Sequence, residues 1–326
     1  MLNKFPINSK DFDGPILLTG AGGCIGSWIL ALCSNAGVPV IAFDLSEDKR
    51  RLKLLMSDDK ITKITWLKGD IADSHKVAEV VKNNGIRAII HLAALQVPFC
   101  ADDPIAGARV NVVGTVNIFE AARQNDLKRL VYASSVAAHG ILSKKNYMAT
   151  LYGAYKACDE NLAKVYYQDW NLPSTGIRPG IVYGIGRDQG MTSKTTFATL
   201  AAAANIPYTI PFTGPISALH AGETAAAFIK AVSKERYGAS VFDMNGVFTS
   251  VDEWVNILQK IEPKASINIK GEALSFPFHL SDEPLRKYIG NYGTIDLEPG
   301  IKHTFNAFKK LLSKGLISTD NLNQNI

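Results

Sequence analysis

Paired cysteines and long apolar runs are missing from this 326-residue sequence. No run reaches the roughly 18 consecutive apolar residues that a membrane-spanning helix needs, and the first residues lack the apolar centre of a signal peptide, so we expect neither a membrane anchor nor export. The four cysteines have no paired spacing and no neighbouring histidine cluster; they are Cys24, Cys33, Cys100 and Cys158. We therefore expect no metal site and no disulfide framework, but reduced thiols in the cytoplasm.

An excess of charge of one sign is also missing. The sequence has 35 Lys and Arg residues against 30 Asp and Glu residues, a formal net charge of +5, and the basic residues are scattered. This distribution argues against the clustered basic surface of nucleic-acid-binding proteins, so we expect no nucleic-acid partner. Hydrophobic residues make up 47% of the chain, which excludes a disordered protein and predicts a globular one.

Between residues 15 and 133, short apolar runs alternate with stretches of helical periodicity. The predicted strands are Pro15–Thr19, Val38–Phe43, Ile64–Leu67, Ala88–Leu92 and Leu130–Ala133. The predicted helices between them are Ile25–Asn35, His75–Asn83 and Ala106–Gln124. Because the strands are apolar almost throughout, we expect a parallel sheet that helices cover on both faces. The sequence therefore predicts an α/β fold with a doubly wound parallel sheet.

A glycine-rich turn, Gly20-Ala21-Gly22-Gly23-Cys24-Ile25-Gly26, lies between the first predicted strand and the first predicted helix. Gly20 allows a tight turn, Gly23 lets the backbone approach a pyrophosphate, and Gly26 lets the helix pack against the strand. The helix N-terminus would point unpaired N–H groups at the phosphates. Such a turn can simply connect a strand to a helix, but its position here predicts a dinucleotide-binding Rossmann fold.

Two acidic residues follow neighbouring predicted strands. Asp44 ends the second strand, 18 residues after Gly26, where a carboxylate would accept hydrogen bonds from the adenosine ribose and repel a 2′-phosphate. We therefore expect NAD rather than NADP as the cofactor, although Asp44 could instead cap the next helix. Asp70, after the third strand, is a candidate contact for the adenine amino group, and turn formation at the strand end explains it equally well.

Tyr152 and Lys156 are four residues apart at the start of a helical stretch, so both side chains project from one face. A nearby ammonium stabilises a phenolate, which lets a tyrosine exchange a proton with a substrate alcohol. This spacing is also common on solvated helices and becomes informative only beside the glycine-rich turn. Ser134 and Ser135 follow the fifth predicted strand at the edge where ligands bind, and they could hold a substrate oxygen or cap a helix.

Five ordered motifs, together with the Gly-x-x-Gly-x-x-Gly turn, resemble the extended branch of the short-chain dehydrogenase/reductase superfamily, the NAD-dependent epimerase/dehydratase family. The resemblance covers roughly residues 15–230. The matching segments are His91–Ala94, Asn111–Asn117, Tyr132–Ser135, Tyr152–Lys156 and Arg178–Gly184.

The resemblance implies a role for each matching residue. Ser135 would hold the substrate oxygen, Tyr152 would act as the acid and base, Lys156 would assist Tyr152 and bind the nicotinamide ribose, and Asn111 would support the site. Ala93 and Ala94 would line the cofactor cleft. The remaining expected contacts to NAD are Cys24, Ile25 and Ile71.

Departures from the family pattern bear on the substrate. Val136-Ala137 stands where dehydratases carry Asp-Glu, so dehydration loses its acid and base. Ile181 stands where nucleotide-sugar epimerases typically carry Asn, and Pro215–Ser217 lacks their diphosphate-binding Arg. These departures favour an NAD-dependent dehydrogenase of a free sugar, sugar acid or similar polyol. A UDP-sugar 4-epimerase with tightly bound NAD and a non-catalytic NAD sensor remain the alternatives. Gln96 and Arg187 are candidate substrate contacts, or parts of surface loops.

The rhythm of the sequence changes near residue 180, where Gly- and Pro-rich stretches begin to interrupt shorter elements. We assign residues 1–180 to a Rossmann domain with the Tyr/Lys helix and residues 181–326 to a smaller substrate lobe, with a chain that can cross between them. Ser250 and Glu253 predict a capping box before a helix over Val251–Ile261. The resemblance also implies a homodimer through helices 106–124 and 152–170.

Overall fold

A computed structural model describes residues 2–140, 148–275 and 277–323 of the chain. Its main sheet has seven strands in the order β10-β6-β5-β4-β1-β2-β3, and every neighbouring pair is parallel. The strands are β1 (Ile16–Thr19), β2 (Val40–Asp44), β3 (Thr65–Lys68), β4 (Ala88–His91), β5 (Leu130–Ala133), β6 (Ser174–Pro179), β7 (Ile181–Tyr183), β8 (Tyr208–Ile210), β9 (Pro215–His220), β10 (Ala239–Met244), β11 (Val247–Ser250) and β12 (Ile267–Ile269). The predicted doubly wound α/β fold is confirmed.

Helices cover both faces of this sheet. They are α1 (Cys24–Ala36), α2 (Arg50–Lys53), α3 (Asp58–Ile61), α4 (Ser74–Asn83), α5 (Val97–Asp102), α6 (Pro104–Ala108), α7 (Gly114–Gln124), α8 (Leu151–Trp170), α9 (Lys194–Ala204), α10 (Ala221–Val232), α11 (Val251–Ile261), α12 (Glu283–Ile289) and α13 (Leu297–Ser313). Within the described ranges, no helix combines the length and the apolar character needed to cross a bilayer.

All five predicted strands are present, with ends that differ by one or two residues. The largest difference is at β2, predicted from Val38 and observed from Val40. The Val38 N–H donates to Cys33 O at the end of α1, 2.9 Å away, and Pro39 has no N–H to offer a neighbouring strand. The apolar pattern assigned Val38 to the strand, but its N–H is bonded to the end of α1 instead.

The prediction of one helix over Ala106–Gln124 was wrong in detail. A π-helical turn, Arg109–Val113, separates α6 from α7. The buried amide of Asn111 lies in this turn and pairs with both backbone groups of Leu95. The Thr115 hydroxyl donates to Asn111 O at 2.6 Å. Such turns recur at functional sites, and this one directs Asn111 toward the loop after β4.

Alternate residues of β1 face two separate hydrophobic cores. Ile16 and Leu18 pack in the larger core with Trp28 of α1, whereas Leu17 packs in the smaller core with Phe119 of α7. A strand buried on both faces needs apolar residues at every position. The two cores therefore hold the carboxyl ends of the central strands rigidly at one edge of the sheet.

Residues beyond β6 form two small sheets and also contribute to the main sheet. Strands β7, β9 and β11 form a three-stranded sheet and β8 pairs with β12. Helix α10 packs on α1, and β10 pairs with β6 along six residues as an edge strand of the main sheet. A cut at residue 180 would therefore remove one strand and one covering helix from the Rossmann layers.

The capping box predicted before α11 is half formed. The Ser250 hydroxyl accepts a hydrogen bond from Glu253 N at 3.1 Å, and the helix begins and ends where predicted, at Val251 and Ile261. The Glu253 carboxylate accepts from the Thr249 hydroxyl at 2.6 Å. In a complete capping box the Glu253 carboxylate would accept a hydrogen bond from the Ser250 N–H. Here it accepts from the side chain of the neighbouring strand residue instead.

Candidate active site

A cavity of about 460 Å³ lies at the carboxyl ends of the main-sheet strands. Every residue that the sequence singled out for cofactor or substrate binding lines it. These are Gly20, Gly23, Cys24, Ile25, Gly26, Asp44, Asp70, Ile71, Ala93, Ala94, Gln96, Ser135, Tyr152, Lys156 and Arg187. The fold therefore brings together residues that are up to 167 positions apart, from Gly20 to Arg187, and their individual roles stay predictions.

The glycine-rich turn has no room for side chains at two positions. Gly20 has a φ of 68°, and a Cβ on it would lie 2.7 Å from Ala93 N. A Cβ on Gly26 would lie closer than 3.0 Å to Gly20 O. Gly23 begins α1 without a side-chain cap, so N–H groups of the first helical turn remain for a ligand at the cavity wall. This cradle fits the pyrophosphate of a dinucleotide.

Asp44 is held against the glycine-rich turn. Its Oδ2 atom accepts from Gly22 N at 2.9 Å and its Oδ1 atom accepts from Leu45 N at 2.8 Å. Asp44 also lines the cavity, on the side where an adenosine ribose would lie. Asp70 accepts from Ala72 N at 2.9 Å and is exposed, so it forms the turn while also lining the cavity.

A buried arginine that we did not predict joins this turn to the second lobe. Arg51 Nη1 donates to Gly22 O at 2.8 Å, and Arg51 Nε donates to Asp188 Oδ1 at 2.8 Å. The indole of Trp28 donates to Ile185 O at 2.9 Å. The loop after β7 is therefore attached at two points to elements that carry the dinucleotide turn.

Arg187 lies in this loop with its guanidinium facing the cavity. Its Nη1 atom donates to Gln96 Oε1 at 3.4 Å and its Nη2 atom donates to Thr192 Oγ1 at 3.2 Å. Nε has no partner among the described residues. Burial lowers the pKa of Arg187 from its ordinary value. A half-buried cation with only neutral hydrogen-bond partners is a favourable position for an anionic ligand.

The start of α8 places Tyr152 in the same cavity as Ser135. The Thr150 hydroxyl caps the helix by accepting from Gly153 N at 3.0 Å. A Cβ on Gly153 would approach Ala137 O to less than 3.0 Å, so only glycine lets α8 pack so closely on the turn that follows Ser135. Tyr155, by contrast, donates to Pro104 O at 2.9 Å, so of the two tyrosines only Tyr152 lines the cavity.

The two serines after β5 have different surroundings. Ser134 is buried and donates to Glu160, which also accepts from Arg178 Nε at 2.7 Å. The Ser135 hydroxyl oxygen accepts from Ala137 N at 3.2 Å, so its proton is available to a ligand in the cavity. The geometry therefore supports Ser135, rather than Ser134, as the substrate contact.

Lys156 is almost completely buried and forms an ion pair one turn along α8. Its Nζ atom lies 3.1 Å from Asp159 Oδ2, with side-chain exposures of 2% and 0%. Burial alone would lower the pKa of Lys156, but the charges of Asp159 and Tyr152 outweigh it and the pKa is raised. Burial raises the pKa of Asp159 to about 6. At neutral pH the pair is therefore ionised.

A further polar network supports the cavity wall after β4. The Thr19 hydroxyl accepts from Leu92 N and Ala93 N, both at 3.2 Å, and lies 2.7 Å from His91 Nδ1. Burial lowers the pKa of His91 to about 3, so its imidazole is neutral and acts as a structural hydrogen-bonding group.

Comparison with known proteins identifies the family. The model of the NAD dependent epimerase/dehydratase family matches residues 16–244. The chain belongs to this family. The predicted family and the predicted NAD cofactor are therefore confirmed, and the glycine cradle described above fits that cofactor.

The curated relatives match only part of the chain. An Escherichia coli O111:H- protein, described as an uncharacterized 37.6 kDa protein in the cld 5′ region, is 31% identical over 201 residues, 56% of this chain and 59% of that protein. UDP-glucuronate 4-epimerase 4 of Arabidopsis thaliana is 29% identical over 185 residues, 52% of this chain and 42% of that protein. The chain thus spans about half the length of the curated relatives that it matches.

Solved structures share the fold across nearly the whole chain. UDP-glucose 4-epimerase of Thermotoga maritima, solved with UDP-glucose, has a TM-score of 0.78 and 19% identity, covering 91% of this chain and 99% of that chain. A partial consensus L-threonine 3-dehydrogenase has a TM-score of 0.79 and 19% identity, with the same coverage. At these identities the likeness is one of fold. The same fold carries both an epimerase and a dehydrogenase.

The residues of the site that we did not predict differ in how clearly the sequence indicates their contacts. Asp159 lies three positions after Lys156, so its place on the same helical face was visible in the spacing. Arg51 and Asp188 are 137 positions apart, and nothing local indicates their contact. Among the described residues there is no group of three or more His, Cys, Asp or Glu side chains that could hold a metal ion.

Proposed function

We propose that this protein oxidises a secondary alcohol carbon of a sugar acid or a similar carboxylate-bearing polyol, with NAD as the hydride acceptor. One observation carries the proposal: Ser135, Tyr152 and Lys156 lie in the same cavity as the glycine-rich turn. A proton-transferring group and a cofactor cradle in a single cavity are what hydride transfer needs.

Ser135, Tyr152 and Lys156 have separate roles at the alcohol oxygen of the substrate. Ser135 donates a hydrogen bond to that oxygen and holds it beside the Tyr152 hydroxyl. Tyr152, as phenolate, removes the hydroxyl proton, and the nearby Lys156 ammonium stabilises the phenolate. Bound NAD supplies the hydride acceptor. Asn111 and Thr19 keep the opposite wall in place through their bonds to backbone groups of Leu95 and Ala93.

Arg187 supports a substrate with a carboxylate. Its neutral partners, Gln96 and Thr192, leave the half-buried positive charge without a direct counterion among the described residues, and its Nε lacks a partner there. A carboxylate could accept two parallel hydrogen bonds from such a guanidinium. The names of several curated relatives, the UDP-glucuronate 4-epimerases, also designate a substrate with a carboxylate.

A UDP-sugar 4-epimerase is the second candidate, because those relatives favour it. Against it stand Ile181, which lines the cavity and is 4% exposed, and the lack of an arginine in the Pro215–Ser217 strand segment. Neither position can donate a charge-assisted hydrogen bond to a diphosphate. We therefore place the free sugar acid first.

A screen of the purified protein with NAD separates the two candidates. Free sugars, sugar acids and UDP-sugars are each incubated with the protein while reduced nicotinamide absorbance and product stereochemistry are followed. Net NADH formation with a free sugar acid is the expected result. Inversion of UDP-glucuronate without net NADH would overturn the dehydrogenase and establish the epimerase. Bound cofactor without turnover of any compound would favour an NAD sensor.

We also propose a homodimer. Helices α5, α6 and α8 pack on one another and expose large apolar side chains: Ile105 is 76% exposed, Trp170 48% and Val165 45%. Exposed apolar groups on adjoining helices are typical of an interface between subunits. Light scattering after gel filtration should give twice the 35.4 kDa chain mass, and Ile105→Asp should reduce it to one chain mass.

We further propose a cytoplasmic location. All four cysteines are free, and Cys158 is exposed. Unpaired thiols favour a reducing compartment. Fractionation of the cells that make the protein should recover it with cytosolic markers, and recovery from an oxidising compartment would contradict the proposal.

A further inference from the structure

The Lys156–Asp159 pair lies at the end of the cavity that a nicotinamide ring would occupy. In a doubly wound fold the dinucleotide extends across the carboxyl ends of the strands, with one half on each side of β1. Asp44 and Asp70 follow β2 and β3 on one side. Ser135 follows β5 on the other side, and Lys156 lines the cavity with it. The adenosine half therefore belongs near Asp44, and the nicotinamide half near Lys156.

The ion pair itself is buried and close. The Lys156 ammonium lies 3.1 Å from the Asp159 carboxylate, and neither side chain is more than 2% exposed. Oδ1 of Asp159 has no hydrogen-bond partner among the described residues. The Thr115 hydroxyl also contacts the Asp159 carboxylate, but the ammonium of Lys156 is its charged partner.

Other titratable groups around the pair are neutral or paired elsewhere. On β4, His91 is neutral because burial lowers its pKa to about 3. On α5, burial raises the pKa of the Cys100 thiol, and on β5 burial raises that of Tyr132, so both stay protonated. On α8, Glu160 is bonded to Arg178.

Arg187 approaches the same region from the loop after β7 and lines the cavity together with Tyr152. Its partners Gln96 and Thr192 are neutral. The charge balance beside the nicotinamide end therefore depends on whether Lys156 is neutralised.

We propose that Asp159 is a positioning residue that offsets part of the charge of Lys156 and thereby favours binding of NAD⁺ over NADH. The nicotinamide ring is positively charged in NAD⁺ and uncharged in NADH. A buried ammonium beside it with no counterion would repel only the oxidised form. By offsetting part of that charge, while leaving the ammonium in place beside Tyr152, Asp159 keeps the oxidised cofactor bound, which is the form that an alcohol-oxidising enzyme must hold. The proposal rests on the NAD cofactor and not on the proposed substrate.

The test compares the dissociation constants of the two cofactor forms in the apoprotein. NADH binding is followed by the increase in its fluorescence, and NAD⁺ binding by competition against NADH. Asp159→Asn keeps the side-chain shape and removes the negative charge. For one charge acting across several ångströms in a partly screened site, we expect the ratio Kd(NAD⁺)/Kd(NADH) to rise on the order of tenfold.

Two further variants and a pH series on the natural protein separate the effect of charge from that of structure. In Lys156→Met/Asp159→Asn both charges are absent, so the ratio should return to the natural value even if both forms bind more weakly. Asp169→Asn makes the same change on the exposed end of α8 and should leave the ratio unchanged. In the natural protein, lowering the pH through about 6 protonates Asp159, so the ratio should rise there, whereas it should stay flat in Asp159→Asn.

The outcomes are distinct. A ratio within twofold of the natural one in Asp159→Asn, with both constants weakened equally, would show a purely structural role and overturn the proposal. If Asp159→Asn does not fold, the pH series and the double variant decide: a ratio independent of pH would equally overturn it. Failure to find a sugar acid substrate would affect only the proposed function, since no substrate enters these measurements.

Discussion

Arg51 and Asp188 are 137 positions apart in the chain, yet their side chains meet at 2.7 Å beside the glycine-rich turn. Arg51 also donates to Gly22 O, so one guanidinium binds both the dinucleotide turn and the loop that carries Arg187. The loop that carries Arg187 and the glycine-rich turn are therefore held together by the Arg51 side chain.

Asp188→Asn should loosen that link. The Arg51 side chain, 9% exposed, would lose its carboxylate partner, and we expect the free energy of unfolding to fall by about 1–2 kcal/mol. Urea denaturation measures the change. Asp126→Asn removes the carboxylate of the exposed Lys128 pair and should change stability by less than about 0.5 kcal/mol. Equal effects of the two substitutions would show that the Arg51–Asp188 contact has no special importance.

Tyr152→Phe should abolish turnover while leaving the affinity for NAD nearly unchanged. Loss of a positioned acid–base group typically lowers kcat by about 10²–10⁴-fold, whereas the phenol is not needed to hold the pyrophosphate. Steady-state kinetics and cofactor fluorescence measure the two quantities. Tyr155→Phe, whose hydroxyl bonds to Pro104 O outside the cavity, is the matched control and should retain turnover. Unchanged turnover in Tyr152→Phe would refute the assigned role.

Arg187→Met should raise KM for a carboxylate substrate by about 10–100-fold, because a charge-assisted, bidentate contact is lost. The KM for the corresponding neutral sugar should change little. Arg187→Lys should restore only part of the affinity, since an ammonium cannot form the planar pair. A parallel loss for neutral and acidic compounds would mean that Arg187 supports the loop and does not bind the carboxylate.

Glu223 should make stability depend on pH. Burial raises its pKa from 4.5 to about 7, so the folded protein binds a proton that the unfolded chain has released between these values. Its contribution to stability is complete below pH 4.5 and is lost as the pH rises through 7. Relative to Glu223→Gln, the natural protein should lose about 3 kcal/mol over that range. Urea denaturation at several pH values tests this, and the exposed Glu79→Gln should show no such difference.

Local sequence determined most of the Rossmann layers and the motifs that they carry. The apolar runs placed all five predicted strands because a strand buried on both faces can contain little else. Gly20 and Gly26 could be predicted because a Gly-x-x-Gly-x-x-Gly spacing directly after an apolar strand is typical of a dinucleotide-binding turn. Tyr152 and Lys156 were readable because four residues on a helix return to the same face. These features depend on periodicity and sterics over a few residues, which the order of residues alone specifies.

Only the tertiary structure decided which charges meet. In the folded chain Ser134 donates a hydrogen bond to Glu160, whereas Ser135 is available in the cavity. A π-helical turn interrupts the predicted helix at Asn111, and β10 pairs with β6 in the main sheet. It also brought Arg51 to Asp188 across 137 positions. Such contacts depend on the packing of whole layers, and an ion pair leaves no periodic signal in either partner's neighbourhood. The sequence by itself therefore determined the fold and the types of side chain at the site. The packing of the layers decided which charged side chains lie next to one another there.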